Sequence, residues 1–317
     1  MAIDLTSDLS TRKAFSEAMT EFGLRDKRVF SVAADSESRF GAFRKEASDR
    51  ALNLGIAEQN AMSIAAGLAF CGKIPFVSTY ATFLTMRACE QIRTDIAFAN
   101  LNVRIVGTNV GFSSDWLGMT HQALEDVALM RSIPNMTVLV PADGAATYRL
   151  VEALINYEGP AYLRIRGTAK EPHVSCPEPV VIGKARKIRD GTDLTIIACG
   201  RLVYEAMVAA DRLAQEGIKV RVLDMHTVKP LDEESVLKAA KETKRILTVE
   251  EHNVVGGLGS AVAEVTSAQW PVPVRRMGVE DRFGLPGKEE DLFTFFNLTS
   301  EHIISEARKL YEREASS

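Results

Sequence analysis

The chain has 317 residues, a formal net charge of −4, 46% hydrophobic residues and 25% charged residues. This length favours two domains over one, and this composition is ordinary for a globular protein with a substantial core. The sequence has no basic stripe for a nucleic-acid backbone and no apolar segment of membrane-spanning length, so we expect neither nucleic acid nor membrane as a partner. Four separated cysteines, mostly in apolar runs, indicate reduced thiols in a cytoplasmic protein without disulfide or zinc site.

Strands and helices alternate through the first half of the chain. The first predicted helix follows a cap at Ser10 and Thr11, and the first predicted strand runs from Val29 to Ala33. Further strands are predicted at 74–77, 103–107, 137–140 and 161–165, with helices at 58–71, 82–98, 122–131 and 144–156. This alternation is typical of a doubly wound, mostly parallel sheet.

A polar, proline-bearing segment then interrupts the pattern, and a second alternating block follows it. Its strands are predicted at 194–199, 219–224, 245–249 and 273–277, with helices at 202–216, 232–242, 258–268 and 300–313. We therefore predict an α/β protein with two doubly wound domains, 1–167 and 190–317, joined by a linker at 168–189.

One acidic residue, Glu58, begins a helix that is otherwise made mostly of small and apolar side chains. Such a helix has almost no polar face, so it should pack against a sheet or another helix and carry Glu58 into the interior. A buried acid is suited to acid–base chemistry because burial disfavours its charged form. The alternative is that Glu58 only complements the dipole of the first helical turn.

The segments Gly-Ile-Ala-Glu58-Gln-Asn and Tyr80-Ala-Thr-Phe83-Leu resemble the thiamine-diphosphate enzymes of the transketolase family. The resemblance continues through residues 11–13, 120–122, 223–230 and 250–259, so it covers nearly the whole chain. It implies a pyrimidine-binding-type domain at 1–167 and a transketolase C-terminal-type domain at 190–317.

The resemblance also implies which residues contact the cofactor. Glu58 would donate a hydrogen to the aminopyrimidine ring and so act in catalysis. Phe83, with Tyr80 nearby, would offer the aromatic face against which that ring packs. Asp35 and Met86 match further positions near the cofactor. The alternative for the aromatic residues is that they are core side chains at a strand end.

Three further residues match family positions that contact the substrate. His121 matches a catalytic histidine that contacts the donor's hydroxyl groups and moves their protons. Arg12 and Arg166 match arginines that hold a sugar phosphate, for which the arginine fork is suited. Arg164 alternates with Arg166 on one strand, so both would point to the same face, and the alternative for one of them is pairing with a carboxylate.

Two departures from the family pattern concern the sugar. Asn109, also expected to bind substrate, stands where ordinary transketolases carry a histidine, and Leu117 replaces an aspartate expected to touch the substrate. We therefore expect a donor or acceptor that differs from the common pentose phosphates.

The chain lacks the Gly-Asp-Gly motif with which single-chain family members bind the diphosphate. The resemblance therefore implies the C-terminal subunit of a split transketolase that shares thiamine diphosphate with an N-terminal partner subunit. That partner would hold Mg²⁺ or Ca²⁺, this chain would hold no metal, and a homodimer contact would lie within a heterotetramer acting on sugar phosphates. Two alternatives are the β chain of a 2-oxoacid dehydrogenase-type decarboxylase and a cofactor-free regulatory or binding homologue.

Overall fold

The computed structural model describes residues 3–168 and 170–312; the predicted domain ends at 1–2 and 313–317, and linker position 169, lie outside them. Within the described residues, the strands are β1 (Val29–Ala33), β2 (Ala51–Asn53), β3 (Ile74–Tyr80), β4 (Arg104–Thr108), β5 (Thr137–Leu139), β6 (Ala161–Arg164), β7 (Arg186–Arg189), β8 (Leu194–Ala198), β9 (Val220–Asp224), β10 (Thr227–Lys229), β11 (Ile246–Asn253) and β12 (Val274–Val279).

The α-helices of the same residues are α1 (Thr11–Ala18), α2 (Phe43–Glu46), α3 (Glu58–Phe70), α4 (Cys89–Gln91), α5 (Asp126–Ser132), α6 (Gly144–Ile155), α7 (Leu202–Gln215), α8 (Glu233–Thr243), α9 (Leu258–Gln269), α10 (Glu289–Phe295) and α11 (Ser300–Glu312). Three segments are π-helical: Met19–Gly23, Phe83–Arg87 and Ile92–Ala97. Three are 3₁₀-helical: Glu37–Phe40, Ser48–Arg50 and Gly111–Thr120. None of these helices is long and apolar enough to cross a lipid bilayer.

The first sheet has seven strands in the order β10-β5-β6-β4-β3-β1-β2. All neighbours are parallel except β10, which runs antiparallel to β5. Every residue of β4 is buried, as expected for a central strand that is covered by helices on both faces. The predicted mostly parallel sheet is confirmed.

The second sheet has five strands in the order β12-β11-β8-β9-β7, and only the edge strand β7 is antiparallel. Its central strand β8 is fully buried, and the apolar faces of α7 and α11 pack beside it. The two sheets confirm the predicted α/β class with two doubly wound units.

Two short strands lie where the sequence pattern predicted none, and the first of them ties the halves of the chain together. β10 comes from the second half but completes the edge of the first sheet, where Val140 N also donates to His226 O at 2.7 Å. β7 lies in the segment predicted as linker, and its Arg186 pairs with Asp224 of β9 at 2.7 Å. The last four residues of the predicted linker are therefore a strand of the second sheet.

Candidate active site

Glu58 is the first residue of α3, and it is 5% exposed. The buried face of this helix consists mostly of alanine, which lets α3 lie close to β3 and to the segment Phe83–Arg87. The expected burial of Glu58 is thus confirmed, and its carboxylate faces the protein interior rather than open water.

Arg87 contacts this carboxylate. Its Nη1 lies 3.3 Å from Oε1 and 3.5 Å from Oε2 of Glu58, and its guanidinium carbon lies 4.0 Å from the centre of the Phe83 ring. Phe83 and Arg87 are the two ends of one π-helical segment, so a single local element presents both groups to Glu58.

His121 lies against two aromatic rings. Its ring centre is 5.0 Å from that of Phe83 and 5.1 Å from that of Tyr80, both in edge-on geometry. Its backbone oxygen accepts a hydrogen bond from Thr82 Oγ1 at 3.1 Å, which fixes the loop against the π-helical segment. Burial, and then the charge of Arg87, lower the pKa of His121, so a neutral imidazole that can accept a proton is favoured.

The series of contacts continues from Tyr80 to Arg39. The Arg39 guanidinium carbon lies 4.8 Å from the centre of the Tyr80 ring, and Nη2 donates to Asn109 Oδ1 at 3.2 Å. Burial lowers the pKa of Arg39 to about 10, so this side chain still carries its positive charge at neutral pH.

A cavity of about 720 Å³ opens beside these residues. It lies past the carboxyl ends of β1, β3 and β4, the edge at which parallel sheets present ligand sites. Three of its lining side chains are cations and one is a carboxylate, so its net charge attracts an anion. The charged residues of the lining are Arg12, Lys13, Arg39 and Asp35.

The structure therefore brings most of the predicted site residues together. Asp35 and Asn109 both follow strand ends with positive φ angles, 55° and 56°, and both line the cavity with Arg12 and Tyr80. Glu58 and Phe83 lie at the other end of the same series of contacts, and His121 bridges the two ends.

Arg166 is placed differently from the expectation. Its terminal nitrogens are paired with Glu251 and Glu289, and its side chain is almost completely buried. Arg164 likewise pairs with Asp126 at 2.8 Å, so the carboxylate pairing anticipated for one of the two arginines holds for both. This placement leaves no free fork on Arg166 for a sugar phosphate, and its role in substrate binding stays a prediction that the structure does not favour.

Met86 is 44% exposed on the same π-helical segment as Phe83, and no contact among the described residues joins it to Glu58. Its expected role beside the cofactor also stays a prediction.

Sequence reasoning missed Arg39 and Arg87. Arg87 follows Phe83 by four residues, the spacing at which two side chains of a helix meet, so the sequence alone could have indicated their contact. Arg39 had no such signal, because a short 3₁₀ turn places it against Tyr80 and Asn109. Within the described residues, no group of three or more His, Cys, Asp and Glu side chains is arranged to hold a metal ion.

Two family models match the chain. Residues 7–168 match the transketolase pyrimidine binding domain, and residues 183–303 match the transketolase C-terminal domain. The chain therefore belongs to the transketolase family, a family of thiamine-diphosphate enzymes.

Three similar proteins cover nearly the whole chain. It is 39% identical over 305 residues to the 6-deoxy-6-sulfo-D-fructose transketolase subunit SqwH of a Clostridium species, covering 96% of this chain and 95% of that protein. It is 40% identical over 308 residues to one of the subunits of the apulose-4-phosphate transketolase of Phocaeicola vulgatus, covering 96% and 98%. A solved structure described as "split gene transketolase, inactive beta4 tetramer" matches with a TM-score of 0.87 at 40% identity, covering 96% and 99%.

Proposed function

We propose that this chain is the C-terminal subunit of a split transketolase that transfers a two-carbon ketol unit between anionic sugars, sugar phosphates above all. The observation that carries this proposal is the unbroken series of contacts that begins at buried Glu58 and ends at a cationic cavity. A transketolase needs an acid for its cofactor at one end of the site and cations for its sugar at the other.

The residues around Glu58 fit the aminopyrimidine of thiamine diphosphate. The buried carboxyl group of Glu58 and the Phe83 ring, which Arg87 now joins, would offer one hydrogen-bonding partner and one stacking partner, which is what a flat heteroaromatic ring requires. When bound, thiamine diphosphate supplies the nucleophilic carbon that takes up the two-carbon unit. The task proposed for Glu58 is to donate a hydrogen to the ring nitrogen and hold the ring in its reactive tautomer.

His121 and the cavity would act on the sugar. A neutral His121, packed between Phe83 and Tyr80, is positioned to accept a proton from a substrate hydroxyl group. Arg12 and Arg39 would hold the anionic end of the sugar through charge-assisted hydrogen bonds.

The sugar itself is proposed only by class. One relative is named for 6-deoxy-6-sulfo-D-fructose and another for apulose 4-phosphate, and both of these sugars carry an anionic group. The exposed Leu117, in place of the family's aspartate, supports a donor outside the common pentose phosphates.

A partner subunit would complete the site. The relatives that this chain covers almost completely are named as subunits. We propose that an N-terminal partner holds the diphosphate with Mg²⁺ or Ca²⁺, within a heterotetramer that contains a homodimer contact of this chain. The relative described as an inactive four-chain assembly supports the expectation that this chain alone does not turn over.

The test is reconstitution. The chain, its diphosphate-binding partner and their mixture would be assayed with thiamine diphosphate, Mg²⁺ and a panel of phosphorylated and sulfonated ketoses. We expect ketol transfer from the mixture only. Turnover by the isolated chain would refute the split site, and xylulose 5-phosphate as the best donor by a wide margin would refute the shifted specificity.

Two further assays separate the alternatives. Oxidation of a 2-oxoacid with an artificial electron acceptor, without ketol transfer, would identify the β chain of a decarboxylase. A mixture that binds no thiamine diphosphate would identify a cofactor-free homologue. The transketolase names of the relatives support ketol transfer over both.

A further inference from the structure

Arg87 occupies the space between the two groups that the proposed function assigns to the aminopyrimidine. Its guanidinium donates to both oxygens of Glu58, at 3.3 and 3.5 Å, and covers the Phe83 ring at 4.0 Å. The guanidinium is flat and bears several N–H groups, so it satisfies the carboxylate and the aromatic face together.

This arrangement excludes a second flat group at the same place. A separation of 4.0 Å is a contact distance for stacked groups, so the covered face of Phe83 has no room for another ring. Arginine also has donors only, so Glu58 accepts hydrogen bonds in this arrangement, whereas its proposed catalytic task is to donate one.

We propose that Arg87 is an internal occupant of the aminopyrimidine position, which the cofactor must displace before Glu58 can act. The inference rests on the proposed function, because it assigns a competitor to the same site. Arg87 thereby lowers the affinity for thiamine diphosphate.

The cofactor can displace the Arg87 side chain because the side of Arg87 that faces away from Glu58 and Phe83 is exposed to solvent. Its side chain is 51% exposed, and Glu58 is its one ion-pair partner among the described residues. The long stem of arginine can rotate into water and keep its charge hydrated. Cofactor binding must break the Arg87–Glu58 ion pair and the Arg87–Phe83 cation–π contact. Together these two contacts weaken the affinity for thiamine diphosphate about 5- to 30-fold.

The experiment measures binding rather than turnover. Thiamine diphosphate would be titrated by calorimetry, in Mg²⁺, into the reconstituted complex that contains wild-type chain, Arg87→Met or Arg25→Met. Arg25 is a matched control, because it also pairs with a glutamate, Glu21 at 2.9 Å, and lies over a phenylalanine ring, Phe22 at 5.8 Å, away from the site. We expect Arg87→Met to tighten the dissociation constant about 5- to 30-fold and Arg25→Met to leave it within about twofold.

A second measurement tests the contact without cofactor. Melting temperatures of the full chain with Glu58→Gln, Arg87→Met and both changes should be non-additive, since either single change removes the same pair. Additive shifts would overturn the inference, and so would an Arg87→Met complex that binds cofactor as wild type or more weakly. If none of the complexes bound thiamine diphosphate, both the proposed function and this inference would be wrong. If the wild-type and Arg87→Met complexes bound it equally tightly, only this inference would be wrong.

Discussion

Two buried glutamates lie at helix N-termini, and their neighbours give them different roles: Glu58 begins α3, whereas Glu250 belongs to β11 and contacts the first turn of α9. Glu250 lies before α9, where its oxygens accept from Leu258 N at 2.7 Å and Gly259 N at 2.8 Å. Glu58 has no such backbone donors among its described hydrogen bonds, and its partner is a half-exposed arginine. Glu250 is committed to a helix terminus, whereas Glu58 has a partner that matches the exchange for a ligand that we propose.

We expect Glu58→Gln to reduce turnover of the reconstituted complex about 100- to 10,000-fold, because an amide of nearly the same shape cannot transfer a proton. Folding should be largely kept, since the lost pair with exposed Arg87 is worth at most about 1 kcal/mol. The measurements are kcat and melting temperature, with the exposed Glu158→Gln as control. A variant that binds cofactor and keeps more than about a tenth of wild-type turnover would remove Glu58 from the mechanism.

Arg39→Met should raise KM for the anionic sugar about 10- to 100-fold, because one charge-assisted hydrogen bond is lost from the cavity. The effect on kcat should be smaller, since Arg39 lines the cavity proposed for the sugar and does not lie beside Glu58. Arg149→Met is the control, because Arg149 lies over the Tyr148 ring, as Arg39 lies over Tyr80, but on the exposed side of α6. Equal KM values for wild type and Arg39→Met would exclude Arg39 from substrate binding.

Among the elements, those with a regular apolar pattern could be predicted and the irregular ones could not. The predicted strand 29–33 coincides with β1, because a continuous β-branched and apolar run is typical of a buried parallel strand. The predicted helix 82–98 is instead divided into π-helical pieces around α4. Its apolar periodicity did not reveal the wider turns that bring Phe83 and Arg87 to Glu58.

The short elements β2, β7, β10 and α10 were missed because three to seven residues are too few to establish a period. The same limit applied to the site. Glu58 and His121 stand in recognisable motifs, whereas Arg39 reaches the cavity only through tertiary contacts between separate loops.

The 3₁₀ segment Gly111–Thr120 depends on a buried ion pair. Phe112 N donates to Glu251 Oε1 at 2.7 Å, and Glu251 also pairs with Arg166. Gly111 has a φ of 54°, and a Cβ there would lie 2.4 Å from the Glu251 carboxyl group, so only glycine fits. The loop that leads to His121 is thereby fixed to the second half of the chain.

Arg166→Met should lower the free energy of unfolding by about 3–5 kcal/mol, because Glu251 would be left buried without its cation. Denaturant or thermal unfolding of the full chain measures this, and adding Glu251→Gln to Arg166→Met should restore part of the loss. If Arg166→Met instead raised KM and left the unfolding transition unchanged, Arg166 would be a substrate residue as the sequence suggested.

Glu250, at the junction of β11 and α9, should make the free energy of unfolding depend on pH. Burial raises the pKa of Glu250 to about 7, against the lowering effects of the two backbone donors, Arg164 and Arg131. The folded state therefore favours the protonated form of Glu250. The stabilisation of the folded state that results is complete below pH 4.5 and is lost as pH rises through 7.

We expect the free energy of unfolding of wild type, relative to Glu250→Gln, to fall by about 3 kcal/mol between about pH 4 and pH 8. The glutamine keeps an acceptor for the backbone donors and does not titrate, so it isolates this one group. Parallel pH profiles for the two proteins would show that the pKa of Glu250 is the same in the folded and unfolded states, and would contradict this prediction.

At the scale of the whole molecule, two large apolar side chains near α3 are exposed to solvent. Phe70 at its end is 83% exposed, and Phe98, after a segment that packs on α3, is 87% exposed. Exposed aromatic residues at such a place are typical of a protein interface.

Phe98→Asp should weaken association with the proposed diphosphate-binding partner at least about tenfold, because a charge would replace the aromatic anchor that this interface would bury. Sedimentation or calorimetric titration of the two subunits measures this, with Val181→Asp, an exposed apolar position in the second half, as control. Unchanged association would place the partner on another face, and melting temperatures of both variants should match wild type.

The strand β10 has a consequence for attempts to cut this protein into its parts. Because residues 227–229 supply the outermost strand of the first sheet, a fragment that stops at residue 167 would leave the β5 edge bare. A bare edge invites pairing between copies, so such a fragment would aggregate even though each of its own strands is intact. The two halves of this chain are therefore separate in the sequence but not in space.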